Sequence, residues 1–479
     1  MFGQTERRTF SASTSTVATA CSLAAMTAAT TRVRPSPGIE AAPPVTPNLV
    51  RSKEIPGARN VGRNTLETLL FRGISTPVAF ALVVIQSRFL DPAGRGRFVL
   101  VVLTVTILAR LFGQLGVAAT SLSREGELGV LTRCALAWTV VLGTLGIGLI
   151  LAAGALIDSF GLRLAAIAAP ALVPNMLGAS VSGVLLGSAR IRLWNYIQLL
   201  PPILTLAGML VVVVGFGGGV DAAVAVWTAS YFVTAAFALV AARDLWLPPR
   251  AAPLLDTAGR AIVRLGLGMG LVQIVNLIGY RIELFVLDRF KGLAAVGIYS
   301  IGMQAAEAMW LIPAAIASAI TAPVVHDTAA GAVRLTRNAC LKGLLYTTAV
   351  AVGLGVAAPF VIPPLFGDDF SGAARPLAFL LPGVVAYAPV TILVVYISIR
   401  AARPRLSLVV SVIGLVVTAA MSFALIPPYG ASGAAIASAI GYAAAALAAW
   451  IIFLRLTRSD VSTGPSGESG PAWKSTDST

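Results

Sequence analysis

The sequence is short of charge. Only 11% of its 479 residues are Asp, Glu, Lys or Arg, where a soluble domain carries about 25%. So few charges cannot coat a chain that is 57% hydrophobic, with mean hydropathy +0.87, and a soluble globular fold is excluded. Acidic residues are the scarcer sign, 20 against 35 Lys plus Arg, for a net charge of +15. Histidine occurs once, at His326, which removes most metal sites and any relay built on two histidines. Cys21, Cys134 and Cys340 are odd in number and far apart. They make neither a disulfide framework nor a zinc-ligand spacing. Substantial loops that could carry a nucleophile or an acid/base pair are also missing. The expectation is a membrane protein with no enzymatic activity, no cofactor and no bound metal.

The sequence has instead a succession of apolar segments, each near the ~20 residues that cross about 30 Å of hydrocarbon. Twelve are legible: 64–88, 97–121, 133–156, 164–188, 194–216, 220–242, 263–287, 295–324, 338–362, 373–399, 405–427 and 431–454. Only helices or closed barrels satisfy every backbone group in lipid, and the ~10-residue alternating segments of a barrel are absent. The fold class is therefore an all-α polytopic membrane protein.

The basic surplus orients it. The N-terminal tail, the even-numbered loops and the C-terminus hold 25 Lys/Arg, the opposite loops hold 7, and Arg72, Arg110 and Arg281 fall within spans. Basic loops stay in the cytoplasm, so both termini are expected there, in a multi-pass protein of the cell (inner) membrane. No nucleic-acid partner is needed to explain the charge. Residues 1–60, rich in Ser, Thr, Ala and Pro, read as a disordered cytoplasmic tail. The run Glu6-Arg7-Arg8-Thr9-Phe10 only loosely resembles a twin-arginine signal, because the apolar core after it lacks leucine density.

An internal repeat divides the chain. Span 1 leads into Arg88-Phe89-x6-Gly96-x-Phe98, and span 7 into Arg289-Phe290-x6-Gly297-x-Tyr299, 201 residues later. A weaker echo precedes spans 6 and 12, at Gly218 to Ala225 and Gly430 to Ala437. The organisation read from this is a tail at 1–60, a six-helix lobe at 61–245 and a cytoplasmic connector at 246–262. A second six-helix lobe comes next at 263–455, then a tail at 456–479. Such repeats place a substrate cavity between the lobes.

Polar residues inside spans are functional candidates, because charge at mid-bilayer costs at least ~2.5–3.5 kcal/mol. In span 7, Gln273, Asn276, Tyr280 and Glu283 fall on one face at 100° per residue. Span 8 answers with Ser300, Gln304 and Glu307. Arg281 lies off the stripe, and pairing with a carboxylate on another helix is its plainer role. Arg72 and Arg110 have no acidic residue one turn away. Gly183-x3-Gly187 and Gly266-x3-Gly270 read as close helix packing, and Pro77, Pro174, Pro201, Pro202 and Pro313 as candidate kinks.

In these residues the chain resembles the polysaccharide-exporter (oligosaccharide flippase) family of the multidrug/oligosaccharidyl-lipid/polysaccharide superfamily. The resemblance rests on the Arg88–Phe98 junction, on Leu287-Asp-Arg-Phe-x6-Gly297-x-Tyr299-Ser300, and on Glu307 with Ile312-Pro313. It continues through Phe366-Gly367-x2-Phe370-x2-Ala373 and Gly433-Ala434-Ala435-Ile436-Ala437, spanning about 64–455. It implies two six-helix lobes that move a polyprenyl-diphosphate-linked oligosaccharide from the cytoplasmic to the outer leaflet by alternating access. Arg72, Arg110 and Arg281 would then form a cationic cavity for the diphosphate. Gln273, Asn276, Tyr280, Glu283, Gln304 and Glu307 would meet the glycan. The expected partners are the lipid bilayer, the anionic lipid-linked oligosaccharide and other polysaccharide assembly proteins. A multidrug exporter on the same fold would favour an acidic first-lobe cavity, and lipid II flippases share the cationic one. A membrane glycosyltransferase or ligase lacks its catalytic groups here.

Overall fold

The computed structural model describes residues 61–123, 128–156, 161–247 and 257–462, with side chains from Phe71 to Arg458 apart from Arg72. The tail read at 1–60 and much of the connector lie outside these residues. Every regular element described is helical, with no strand among them. The first half comprises α1 (Val61–Phe89), α2 (Pro92–Phe112), α3 (Leu115–Leu122), α4 (Leu128–Leu156), α5 (Gly161–Ala168), α6 (Leu172–Gly187), α7 (Ile191–Met209) and α8 (Val220–Ala241). The second comprises α9 (Thr257–Gly279), α10 (Ile282–Ala308), α11 (Leu311–His326), α12 (Ala329–Phe366), α13 (Ala374–Val395) and α14 (Pro404–Ser462).

Ten stretches are long and apolar enough to cross a membrane, and Gly73–Phe89 adds a shorter one. Two of the ten are too long for one crossing: Ile282–His326, of 45 residues, and Pro404–Arg458, of 55. The first breaks at Gly292 (φ 78°, ψ 175°) and the second at Gly430 (φ 58°, ψ −133°). Only glycine takes such angles without strain. Residues 282–291 thus finish the crossing that α9 begins, 293–326 make the next, and α14 makes two. With α1 this gives twelve crossings in two six-helix sets, as the hydropathy pattern predicts.

Two of the candidate prolines coincide with breaks, and the rest do not. The α5–α6 crossing tightens at Ala169–Ala171, where Pro174 removes the donor to the carbonyl four residues back. The α10–α11 crossing breaks at Met309–Trp310, in the same relation to Pro313. Helices run unbroken through Pro77, Pro201 and Pro202. Gly113 and Gln114, without a proline, separate α2 from α3.

Each half has an apolar core, the second also taking in Leu100 and Leu103 of α2. Val101, Val105, Leu172, Met176, Met209 and Val224 are buried together in the first. Leu284, Leu287, Met303, Phe366, Leu377 and Tyr442 are buried together in the second. Lipid supplies no hydrophobic drive between helices, so close approach decides association. A Cβ at Gly183 or Gly187 would strike Val117 or Thr120 of α3, and one at Gly270 would strike the Leu111 carbonyl. Both glycine pairs therefore pack as the sequence suggests, the second across the two halves. The repeat glycines meet each other: a Cβ at Gly96 would land on the Leu293 carbonyl, and one at Gly297 on the Pro92 carbonyl. Pro92 and Leu293, like Gly96 and Gly297, are 201 residues apart. The contact between α2 and α10 is thus two-fold in character, a symmetry inherited from the repeat.

Candidate functional site: the polar interior

The span-7 stripe does not survive as one face. After Gly279 the helix tightens to a 3-10 turn: the Tyr280 and Arg281 amides donate to the Leu277 and Ile278 carbonyls at 3.2 and 3.0 Å. Arg281 takes φ −139° before α10 starts. That break rotates the residues beyond it, and the four members of the stripe part company. Gln273 and Asn276 stay half-buried on α9, with Asn276 Nδ2 donating to the Val272 carbonyl at 3.1 Å. Glu283 is wholly buried. The Tyr299 hydroxyl donates to its Oε1 at 3.4 Å and lies 3.5 Å from Ser438 Oγ.

Tyr280 enters an aromatic cluster that sequence reasoning missed. Its ring centroid is 5.2 Å from Trp310 and 5.9 Å from both Tyr387 and Tyr442. Its hydroxyl is hydrogen-bonded to that of Tyr387. A small cleft lies beside the cluster, lined by Asn276, Gly279, Tyr280, Tyr387, Ser411 and Tyr442 among others. These residues come from α9 and the turn after it, α13 and both crossings of α14, too far apart in the chain for periodicity to connect them.

Of the three intramembrane arginines, Arg281 takes the plainer role. It forms a two-pronged ion pair with Glu307, Nη2 to Oε2 at 2.8 Å. The pair is 21% and 16% exposed, and Nη1 also donates to the Tyr280 carbonyl at 3.1 Å. Gln304, half-buried, lies one turn before Glu307. Arg110, in the last turn of α2, keeps an exposed side chain. It lies within electrostatic reach of Tyr231 on α8, whose ring stands edge-on to Trp227 at 5.0 Å. Arg72 is on α1, outside the described side chains. The structure thus gathers Tyr280, Arg281, Glu283 and Glu307 in the second half and leaves Arg110 in the first.

A fourth arginine is not marked out by hydropathy. Arg95, which falls among the outer-loop residues of the sequence, is 0% exposed in the first turn of α2. Its only sequence cue is its place between the glycines of the repeat junction. No group of three His, Cys, Asp or Glu that could hold a metal occurs among the described residues.

These features can be set beside known proteins. Residues 61–328 match the family described as "Polysaccharide biosynthesis protein". No curated protein matches the sequence. Among solved structures, the lipid II flippase MurJ in an inward closed conformation aligns with TM-score 0.68 and 12% identity, over 84% of this chain and 91% of that one. An inward-facing multidrug-resistance MATE transporter of the MOP superfamily gives 0.65 and 17%, over 82% and 96%. A MOP superfamily transporter from Pyrococcus furiosus, noted for the reversed polarity of its binding pocket, gives 0.60 and 17%, over 84% and 96%. At such identities the likeness establishes the fold. The sequence match covers more than half of the chain and reaches from α1 to the end of α11, so this multi-pass membrane protein belongs to the polysaccharide biosynthesis protein family and has the fold of MOP superfamily transporters.

Proposed function

We propose that the protein carries a polyprenyl-diphosphate-linked oligosaccharide from the cytoplasmic to the outer leaflet of the cell membrane, with the two halves rocking to expose a central path alternately to each side. The observation that carries this reading is Arg110. It is a guanidinium inside a crossing, exposed and without a carboxylate partner among the described residues. Arginine's planar fork suits phosphate oxygens. Arg281 is held by Glu307, which leaves Arg110 to meet the diphosphate, and Arg72 of α1 is assigned the same role. Gln273, Asn276, Gln304 and Tyr280 offer amides and a phenol to glycan hydroxyls, and the polyprenyl tail stays in lipid between the halves. Outward movement of a dianion also descends an inside-negative potential, worth about 2.3 kcal/mol per charge per 100 mV.

The same unpaired cation opposes the export of cationic drugs. Reconstituted Arg110→Gln protein is expected to flip a fluorescent polyprenyl-diphosphate sugar about 10- to 100-fold more slowly, the loss of one charge-assisted contact of ~1.5–3 kcal/mol. Wild-type flipping by this variant would remove the diphosphate role from Arg110.

A further inference from the structure

Arg95 has an arrangement that the proposed path does not use. Among the described residues it is the largest side chain shut entirely away from solvent, and no carboxylate there pairs with it. Asp91, the acid nearest in sequence, is exposed and accepts the Gly94 amide at 2.9 Å as the cap of α2. The contacts of the guanidinium divide between the halves. Nη1 donates to the Val83 carbonyl and to Gln86 Oε1 of α1, each at 3.2 Å. Nε donates to Ser300 Oγ of α10 at 3.0 Å, and Nη2 has no partner. Nε and Nη2 share one edge of the guanidinium, the edge that grips two oxygens of one phosphate. One nitrogen therefore anchors Arg95 in the first half, while its bidentate edge faces the second half and is only half filled, by a neutral hydroxyl.

The surroundings show when that edge becomes free. Arg95 lies beside the contact where Gly96 meets Leu293 and Gly297 meets Pro92, backbone against backbone. Separation of α2 from α10 removes Ser300 and leaves the anchored fork facing the gap, at the positive end of α2. A buried cation without a counter-charge burdens the closed contact, and an anion that binds only the parted form shifts the population towards it. The geometry assigns Arg95 as a second anion site, for a phosphate or diphosphate group, filled when α2 and α10 part. On the orientation read from the loop charges this is the outer end, where the cargo's diphosphate arrives. The assignment rests on the alternating-access reading above.

The test uses right-side-out vesicles holding the full chain with its native cysteines changed to alanine and a reporter at Val296→Cys. Val296 is wholly buried in α10 beside this contact. Labelling by an impermeant maleimide is followed with and without pyrophosphate, and with a short polyprenyl diphosphate or added phosphatidylglycerol to separate free phosphate, cargo and lipid headgroup. Pyrophosphate is expected to speed labelling severalfold with Arg95 present, less with Arg95→Lys, which keeps the charge and loses the fork, and not at all with Arg95→Gln. Equal acceleration in Arg95→Gln, or none in the Arg95 protein, overturns the site while alternation stands. A reporter that no condition exposes, cargo included, overturns alternation and the site together.

Discussion

Arg281 and Glu307 show how one ion pair is read at the scale of residues. Each is mostly enclosed, at 21% and 16% exposure, so removing one partner strands the other in low dielectric. Arg281→Met or Glu307→Met alone is expected to lower stability in detergent by about 1–3 kcal/mol, somewhat less than a fully buried pair. The Arg281→Met/Glu307→Met double variant should recover much of that loss, and thermal unfolding of the four proteins measures the coupling. An additive double variant contradicts the pairing. Arg190 and Asp244 form the corresponding pair outside the crossings, 39% and 54% exposed. The hydrogen bond from Arg190 holds the Asp244 carboxyl below its ordinary range. A depressed carboxyl contributes stability above its unfolded pKa of about 4 and loses it as pH falls through the folded value. Asp244→Asn should therefore cost only about 0.2–1 kcal/mol at neutral pH. The gap to wild type should close on acidification; a gap that widens below pH 4 has the wrong sign. Arg281 was legible in the sequence as a charge inside a span. Arg95 was not, because hydropathy places the edge of span 2 at residue 97, and a charge beyond an edge looks hydrated.

At the scale of elements, glycine rather than proline sets the architecture. Gly292 and Gly430 let two pairs of crossings succeed each other without a loop, at φ 78° and 58°. Gly430→Ala has nothing closer than 3.7 Å to strike, so its cost is conformational, about 1–3 kcal/mol. Gly353→Ala, in open space inside α12, should instead be neutral or stabilising. Unfolding midpoints of the two variants compare them directly, and equal midpoints contradict the turn at Gly430. The number and order of crossings were legible because apolar length is a property of composition. The division of the Gln273–Glu283 stripe was not. A projection at 100° per residue assumes an unbroken helix, and the tightened turn at Gly279–Arg281 sends Tyr280 and Glu283 to different partners. The Tyr280, Trp310, Tyr387 and Tyr442 cluster was invisible for a related reason: its members lie on separate helices and share no period.

For the molecule as a whole, the sequence repeat became a physical contact. Gly96 and Gly297, 201 residues apart, each bring a helix against the backbone of the opposite half. Gly96→Val or Gly297→Val should force α2 from α10 and raise the reactivity of Val296→Cys; unchanged labelling contradicts the contact. The family and the fold place this contact in a membrane protein of the polysaccharide biosynthesis protein family, and the unpaired, exposed cation at Arg110 argues for an anionic cargo. That claim is tested most directly in proteoliposomes holding the wild-type protein, by tracking transbilayer movement of a polyprenyl-diphosphate-linked sugar and of a lipophilic cation in parallel. The account predicts that the diphosphate-linked sugar crosses faster than in protein-free liposomes while the cation does not. Accelerated movement of the cation, with the sugar lipid left at the protein-free rate, contradicts it.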